Sequence, residues 1–255
     1  MHPREPKYCN PPALAHFRDS ISQLETPLGL FSAAVAIAIH FQPTESLKPS
    51  IESVLDMAET VRKRVRHATP DALVARLHEV MFEELGFTGN EANYYAIENS
   101  LIPSVLRTKR GIPITLSLIY TTVGRLVGLD IEGVNSPGHF LVRVHLDRDT
   151  MLVDPFHAGR VLSAVEGVTM IERVVEQPWQ DDVDWFPICH PRQWIERILN
   201  NLRSTLIHTG DTKDVAAMRE LQAALNESAP RILRFPGCFL RRRVDRGPEK
   251  TRMDC

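Results

Sequence analysis

The hydrophobic period of the chain switches from helical to alternating near residue 139, and that change limits the folds open to it. Before it, apolar residues recur at helical spacing. From there Phe140, Val142, Val144 and Leu146 alternate with His139, Leu141, Arg143 and His145, a two-residue period that only a strand satisfies. Asp147–Thr150 reads as a turn and Met151–Asp154 as the returning strand, stopped by Pro155. An earlier strand is expected over Asp130–Asn135. From Pro191 the period is helical again, with Trp194, Ile195, Ile198, Leu199 and Leu202 on one face. Helices, one antiparallel sheet, then helices is an α+β order, not a doubly wound one.

The helical parts are well punctuated. Residues 29–41 predict a helix buried on most sides and ended by Pro43. Ile51, Val54, Leu55, Ala58, Val61 and Val65 mark a second. A third begins at Thr69 and Pro70 and ends at Gly86, with Leu73, Leu77, Val80 and Met81 inward. Phe87–Ser100 reads as a loop, and a short helix is expected over 101–109. Pro113 suits the first turn of the next helix and Gly128 its exit; Leu116, Ile119, Tyr120, Val123 and Leu126 form its stripe. A last helix is expected over Asp214–Leu225. Residues 1–28 read as a loose, Pro-rich leader, 29–185 as the main domain, 190–228 as a helical module and 229–255 as an irregular tail.

Composition removes several function classes. The 255 residues carry a formal charge of -2, so nucleic acid is not the default partner; the Arg241–Arg243 run reads as a solvated segment. Four cysteines, at 9, 189, 238 and 255, form no CxxC pair, which speaks against a zinc knuckle or dithiol site and fits a reducing compartment. Leu28–Phe41 is too short to span a bilayer, and the N-terminus lacks a signal-peptide core, so a cytoplasmic location is expected by elimination. Neither GxGxxG nor GxxxxGK[ST] is present, and no cofactor is expected.

Three features stand together: Gly111-Ile112-Pro113 at a helix start, His139 at the head of a strand, and Asp154 closing the next strand. Helix N-terminus, strand, strand is how a nucleophile–His–Asp site is staged. The helix end favours a thiolate and an oxyanion, the His takes the proton, and the Asp orients the imidazole. The segments RGIPITLSLIY, GLDIEGVNSPGHFLVRV and LVDPFHAG, with GFTGNEANYYAIENSLIPSVLRTKRG upstream, resemble the SirB branch of the transglutaminase-like superfamily. They are also similar to the transglutaminase-like part of F-box-only proteins. The resemblance runs from about residue 30 to residue 208. It implies a papain-like core and C-terminal helices that begin a tetratricopeptide-like array, which the tail PGCFLRRRVDRGPEKTRMDC does not complete.

The same resemblance assigns His139 and Asp154 as the catalytic pair and puts Pro113 where the family carries its cysteine. Proline supplies no nucleophile, no proton and no N–H. Thr115, Ser117 and Cys189 stand outside the helix-start position. Gly111, Tyr95, Asn99, Asn135, Gly138 and His157 lie in the matching segments and are the candidate binding residues. Tyr94 and Tyr95 otherwise read as packing residues. Arg107, Lys109 and Arg110 read as a solvated helix end rather than an anion-binding rim.

No metal is expected. His139 and His145 share a strand face but lie ~20 Å apart at about 3.3 Å per residue, and His139, Asp154 and His157 have no metal-binding spacing. The expected role is a regulatory or protein-binding module without thiol chemistry, meeting a protein through its cleft or its C-terminal helices. The alternatives are a hydrolase or peptidase that uses His139 and Asp154 as a dyad, and a helical adaptor with a vestigial cleft.

Overall fold

The computed structural model describes residues 5–178 and 184–228; the expected tail, the Arg241–Arg243 run, Cys238 and Cys255 lie outside them. The chain opens with α1 (Pro11–Ile21) and α2 (Pro27–Phe41). Each starts at a polar cap followed by proline: Asn10 accepts from the Ala13 N–H, and Thr26 from the Gly29 N–H. Helix α1 corrects the expectation of a loose leader. Its Ala13, Leu14 and Phe17 are buried against α2, and the prolines that read as disorder occupy its first turn, where their missing N–H costs nothing.

Helices α3 (Leu47–Arg64) and α4 (Pro70–His78) follow, and α4 runs on into a π-helical turn, Glu79–Glu84. The expected loop contains a short strand β1 (Thr88–Gly89) and a 3₁₀ turn, Ile97–Ser100. Helix α5 (Ile102–Thr108) leads to β2 (Arg110–Gly111), which pairs with β1 in parallel. Helix α6 (Pro113–Leu126) is central, buried from Pro113 to Gly124, because α2, α3, α4, the sheet and a C-terminal helix all pack on it. The one-faced stripe read from its sequence therefore understates its burial.

Strands β3 (Ile131–Val134), β4 (Leu141–His145), β5 (Thr150–Asp154) and β6 (Arg160–Leu162) form an antiparallel meander. His139 falls in the turn before β4, not on the strand itself. Helix α7 (Ala164–Val175) follows β6; neither element was anticipated, although Ser163 and Glu166 form the capping box that announces α7. One face of the sheet joins the main core through Val142, Val144 and Val153. The other has a small core of its own, where Leu141 and Leu162 meet Met170 of α7 and Phe186. Covering on both faces explains why Leu141 is as buried as its neighbour Val142.

Helices α8 (Pro191–Thr209) and α9 (Thr212–Glu227) complete the described chain. Trp194, Ile198, Leu202 and Met218 belong to the same hydrophobic cluster as α2 and α6, so position 190 is not a packing boundary. A Cβ on Gly133 would lie 2.2 Å from the Trp194 ring, so only glycine lets α8 close onto β3. Among the described residues, no helix is long and apolar enough to cross a membrane.

Candidate functional site

The turn entering α6 is held by its own backbone and by Asn99. Thr115 Oγ1 accepts from the Ile112 N–H at 3.2 Å and lies 2.8 Å from the Asn99 carbonyl, to which it donates. Thr115 is therefore committed to capping, as its position three residues after Ile112 allows. Ser117 is buried, with its hydroxyl 3.4 Å from the Phe140 carbonyl. Cys189 is buried too, and desolvation pushes its thiol up to about 12, well away from a reactive thiolate. The first residue of α6 is the Pro113 ring.

His139 and Asp154 meet. The imidazole Nε2 lies 3.0 Å from Asp154 Oδ2, and both residues are buried. Gly138 makes this possible, since the turn needs a positive φ of 68° there and a Cβ would strike Val174. On the Asp154 side, Pro155 opens a 3₁₀ turn, Pro155–His157, whose free N–H groups face the carboxylate. Asp154 Oδ1 accepts from the Phe156 N–H at 3.0 Å and the His157 N–H at 3.4 Å. The His157 ring folds back so that its Nδ1 lies 2.7 Å from Asp154 Oδ2.

One carboxylate oxygen thus serves two imidazoles. Burial pushes the Asp154 carboxyl upward, but the hydrogen bonds from His139 and His157 outweigh it and hold the group well below the usual carboxylate range. The hydrogen bond to Asp154 raises His157, against partial desolvation. His139 Nδ1 has no hydrogen-bond partner among the described residues. Sequence spacing gave no sign of this convergence. The ligand-capable atoms of His139, Asp154 and His157 all lie within 4.8 Å of one another, although their sequence spacing carries no metal signature. His145 is elsewhere, paired with Glu132 at 3.0 Å.

The other candidates separate. Asn99 is buried, and its side chain is consumed by Asn90, Asn93 and Tyr94 within the loop, so it shapes the loop and is not free to bind. Asn135 accepts from Arg197, and Gly111 sits in β2. Tyr95 is not a packing residue: it is 81% exposed. With Tyr94, Ser100, Ile112 and the α8 residues Asn201 and Thr205 it lines a cavity of about 620 Å³ beside the start of α6. The basic trio is tied to its neighbours. Arg107 lies 3.5 Å from Glu45, Lys109 stands over the Phe87 ring, and Arg110 donates to the Gly86 carbonyl.

Arg197 of α8 is the positioning residue that the sequence did not reveal. Its guanidinium donates to the His139 carbonyl at 3.0 Å and the Ser136 carbonyl at 3.1 Å, and it lies over the Phe140 ring. The turn that carries the catalytic-type histidine is therefore pinned from a helix some sixty residues away in sequence.

The family model described as "Transglutaminase-like superfamily" matches residues 50–200. A UPF0162 protein of Xylella fastidiosa is 31% identical over 214 residues, covering 82% of this chain and 76% of that protein. A UPF0162 protein of Pseudomonas aeruginosa is 25% identical over 206 residues, covering 79% and 73%. F-box only protein 21 of Mus musculus is 28% identical over 206 residues, covering 78% of this chain but 30% of that longer protein. No solved structure matches.

Proposed function

The chain belongs to the transglutaminase-like superfamily, and from that premise we propose that it is a member without thiol chemistry, whose cleft serves as a regulatory, protein-binding module. One observation carries the reading: the first residue of α6, where the attacking atom is required, is proline. It offers neither a nucleophile nor the N–H that would help bind an oxyanion. The nearby hydroxyls are no substitute, since Thr115 caps the helix and Ser117 is buried. The exposed Tyr95 at the mouth of the cavity supports protein recognition, because tyrosine buries large area at low entropic cost.

The test has two arms. Purified chain is expected to show background amine incorporation and peptide-ester hydrolysis, with His139→Ala no different. Turnover by the wild type that vanishes in His139→Ala would overturn the reading. In the second arm, a photo-crosslinking residue at position 95 is expected to capture a protein partner, and its failure to do so counts against the binding role.

A second reading keeps the dyad as an enzyme. The 3.0 Å His139–Asp154 contact, with Nδ1 unpartnered, suits general base catalysis worth roughly 10²–10⁴-fold. It requires a hydrolytic pH profile that His139→Ala abolishes, and a flat profile removes it.

A further inference from the structure

We propose that His139, Asp154 and His157 form a binding site for one divalent first-row transition-metal ion. The inference goes beyond the binding-module reading and stands whether or not the cleft meets a protein. Its basis is convergence: Asp154 Oδ2 lies 3.0 Å from His139 Nε2 and 2.7 Å from His157 Nδ1. Ligand atoms held about 2.1 Å from a common ion lie about 3.0–3.4 Å apart, so these separations are near those of a coordination sphere. The two ring nitrogens need only close the remaining gap, and His157, half-exposed on its short turn, can supply that movement.

The donor set selects the ion. Two imidazoles and one carboxylate suit zinc, iron(II), cobalt or nickel rather than magnesium or calcium, which take oxygen ligands. Groups around the cluster already orient its donors. Asp154 Oδ1 is fixed by the N–H groups of Phe156 and His157, which leaves Oδ2 to point at the two rings. On the far side of His157, Glu91 Oε1 lies 3.8 Å from Nε2, where it can receive the proton that a metal-bound imidazole presents outward. Each neutral imidazole that binds the ion through the nitrogen now facing Oδ2 carries its proton on the other ring nitrogen, so binding fixes the opposite tautomer in both rings.

The full-length chain, stripped with a chelator and dialysed, is titrated with cobalt(II) and followed by visible absorption. The same titration is repeated with zinc(II) by calorimetry. The expected result is one ion per chain with ligand-field bands. His157→Ala, a change on a partly exposed turn, is expected to lower the affinity at least about 100-fold while leaving the circular dichroism of the metal-free chain unchanged. Glu91→Gln is expected to lower it about tenfold, because the ligating His157 ring loses the carboxylate that faces its outward N–H. His145→Ala, on a different histidine–carboxylate pair, serves as the control for adventitious binding among the 10 histidines. Absence of a stoichiometric site, or binding that survives His157→Ala, overturns the proposal and leaves a purely hydrogen-bonded cluster.

Discussion

His78, at the end of α4, shares a 2.9 Å hydrogen bond with the Tyr120 hydroxyl and meets the edge of the Phe82 ring. Among the described residues no carboxylate is paired with it, so desolvation lowers it to about 4, while burial pushes the Tyr120 phenol up. Between pH 4 and 6.5 the unfolded chain binds a proton at this residue that the folded chain refuses. Stability is therefore fully present above pH 6.5 and falls as pH drops toward 4, by on the order of 3 kcal/mol. His78→Gln, which keeps a polar atom near the hydroxyl, is expected to flatten that slope in urea unfolding followed across this range. A second residue-scale prediction concerns Pro113. Pro113→Cys places a thiol at a helix N-terminus, and it is expected to be alkylated faster than Cys9 or Cys189, both held near 12 by burial. Mass spectrometry of the labelled peptides reads this directly.

Helix α8 is the element on which the site depends although it supplies no member of the triad-like cluster. Its Trp194 lies against Phe140 and Gly133 and donates from Nε1 to the Ile114 carbonyl at 3.3 Å, near the start of α6. One turn on, Arg197 holds the carbonyl of His139. Gly133→Ala drives a methyl group into the Trp194 ring and is expected to cost about 1–3 kcal/mol, visible as a lowered melting temperature. Arg197→Met should keep most of the packing over Phe140 but free the 135–139 turn. Hydrogen exchange confined to that turn is the expected readout, and unchanged exchange would deny the pinning role.

At the scale of the molecule, the C-terminal pair cannot be removed as a module. Helix α9 is joined to the stretch before α1, where Glu220 accepts from the N–H groups of Lys7, Tyr8 and Cys9, and Asp214 meets His40 of α2 at 3.1 Å. Together α8 and α9 place Trp194, Leu202, Met218 and Leu221 in the main core. A chain cut at 189 is therefore expected to lose cooperative unfolding rather than a binding function alone. Calorimetry checks this, and a sharp transition in the shortened chain would show that the helices are an appendage. The proposed protein-binding role is therefore tested by point changes at surface residues such as Tyr95, not by deletion.

The sequence determined the α+β order, the proline-started helices and the hairpin, because period and capping chemistry are local properties written residue by residue. It also determined that no sulfur stands at the start of α6. What it did not reveal has a common physical cause, contact between residues distant in the chain or a turn geometry that spacing does not encode. Helix α1 hid behind prolines until its burial against α2 was visible. Position 190 read as a boundary because the run of core contacts from α8 to α2 and α6 has no sequence signature. Asn99 read as a binding residue until its amide was seen spent inside its own loop. His157 joined His139 on Asp154 only because a 3₁₀ turn bends the chain back on itself, and Arg197 pins that histidine from a helix that merely packs nearby. Tertiary structure decided these, since burial and convergence depend on which surfaces close against each other and not on any one segment.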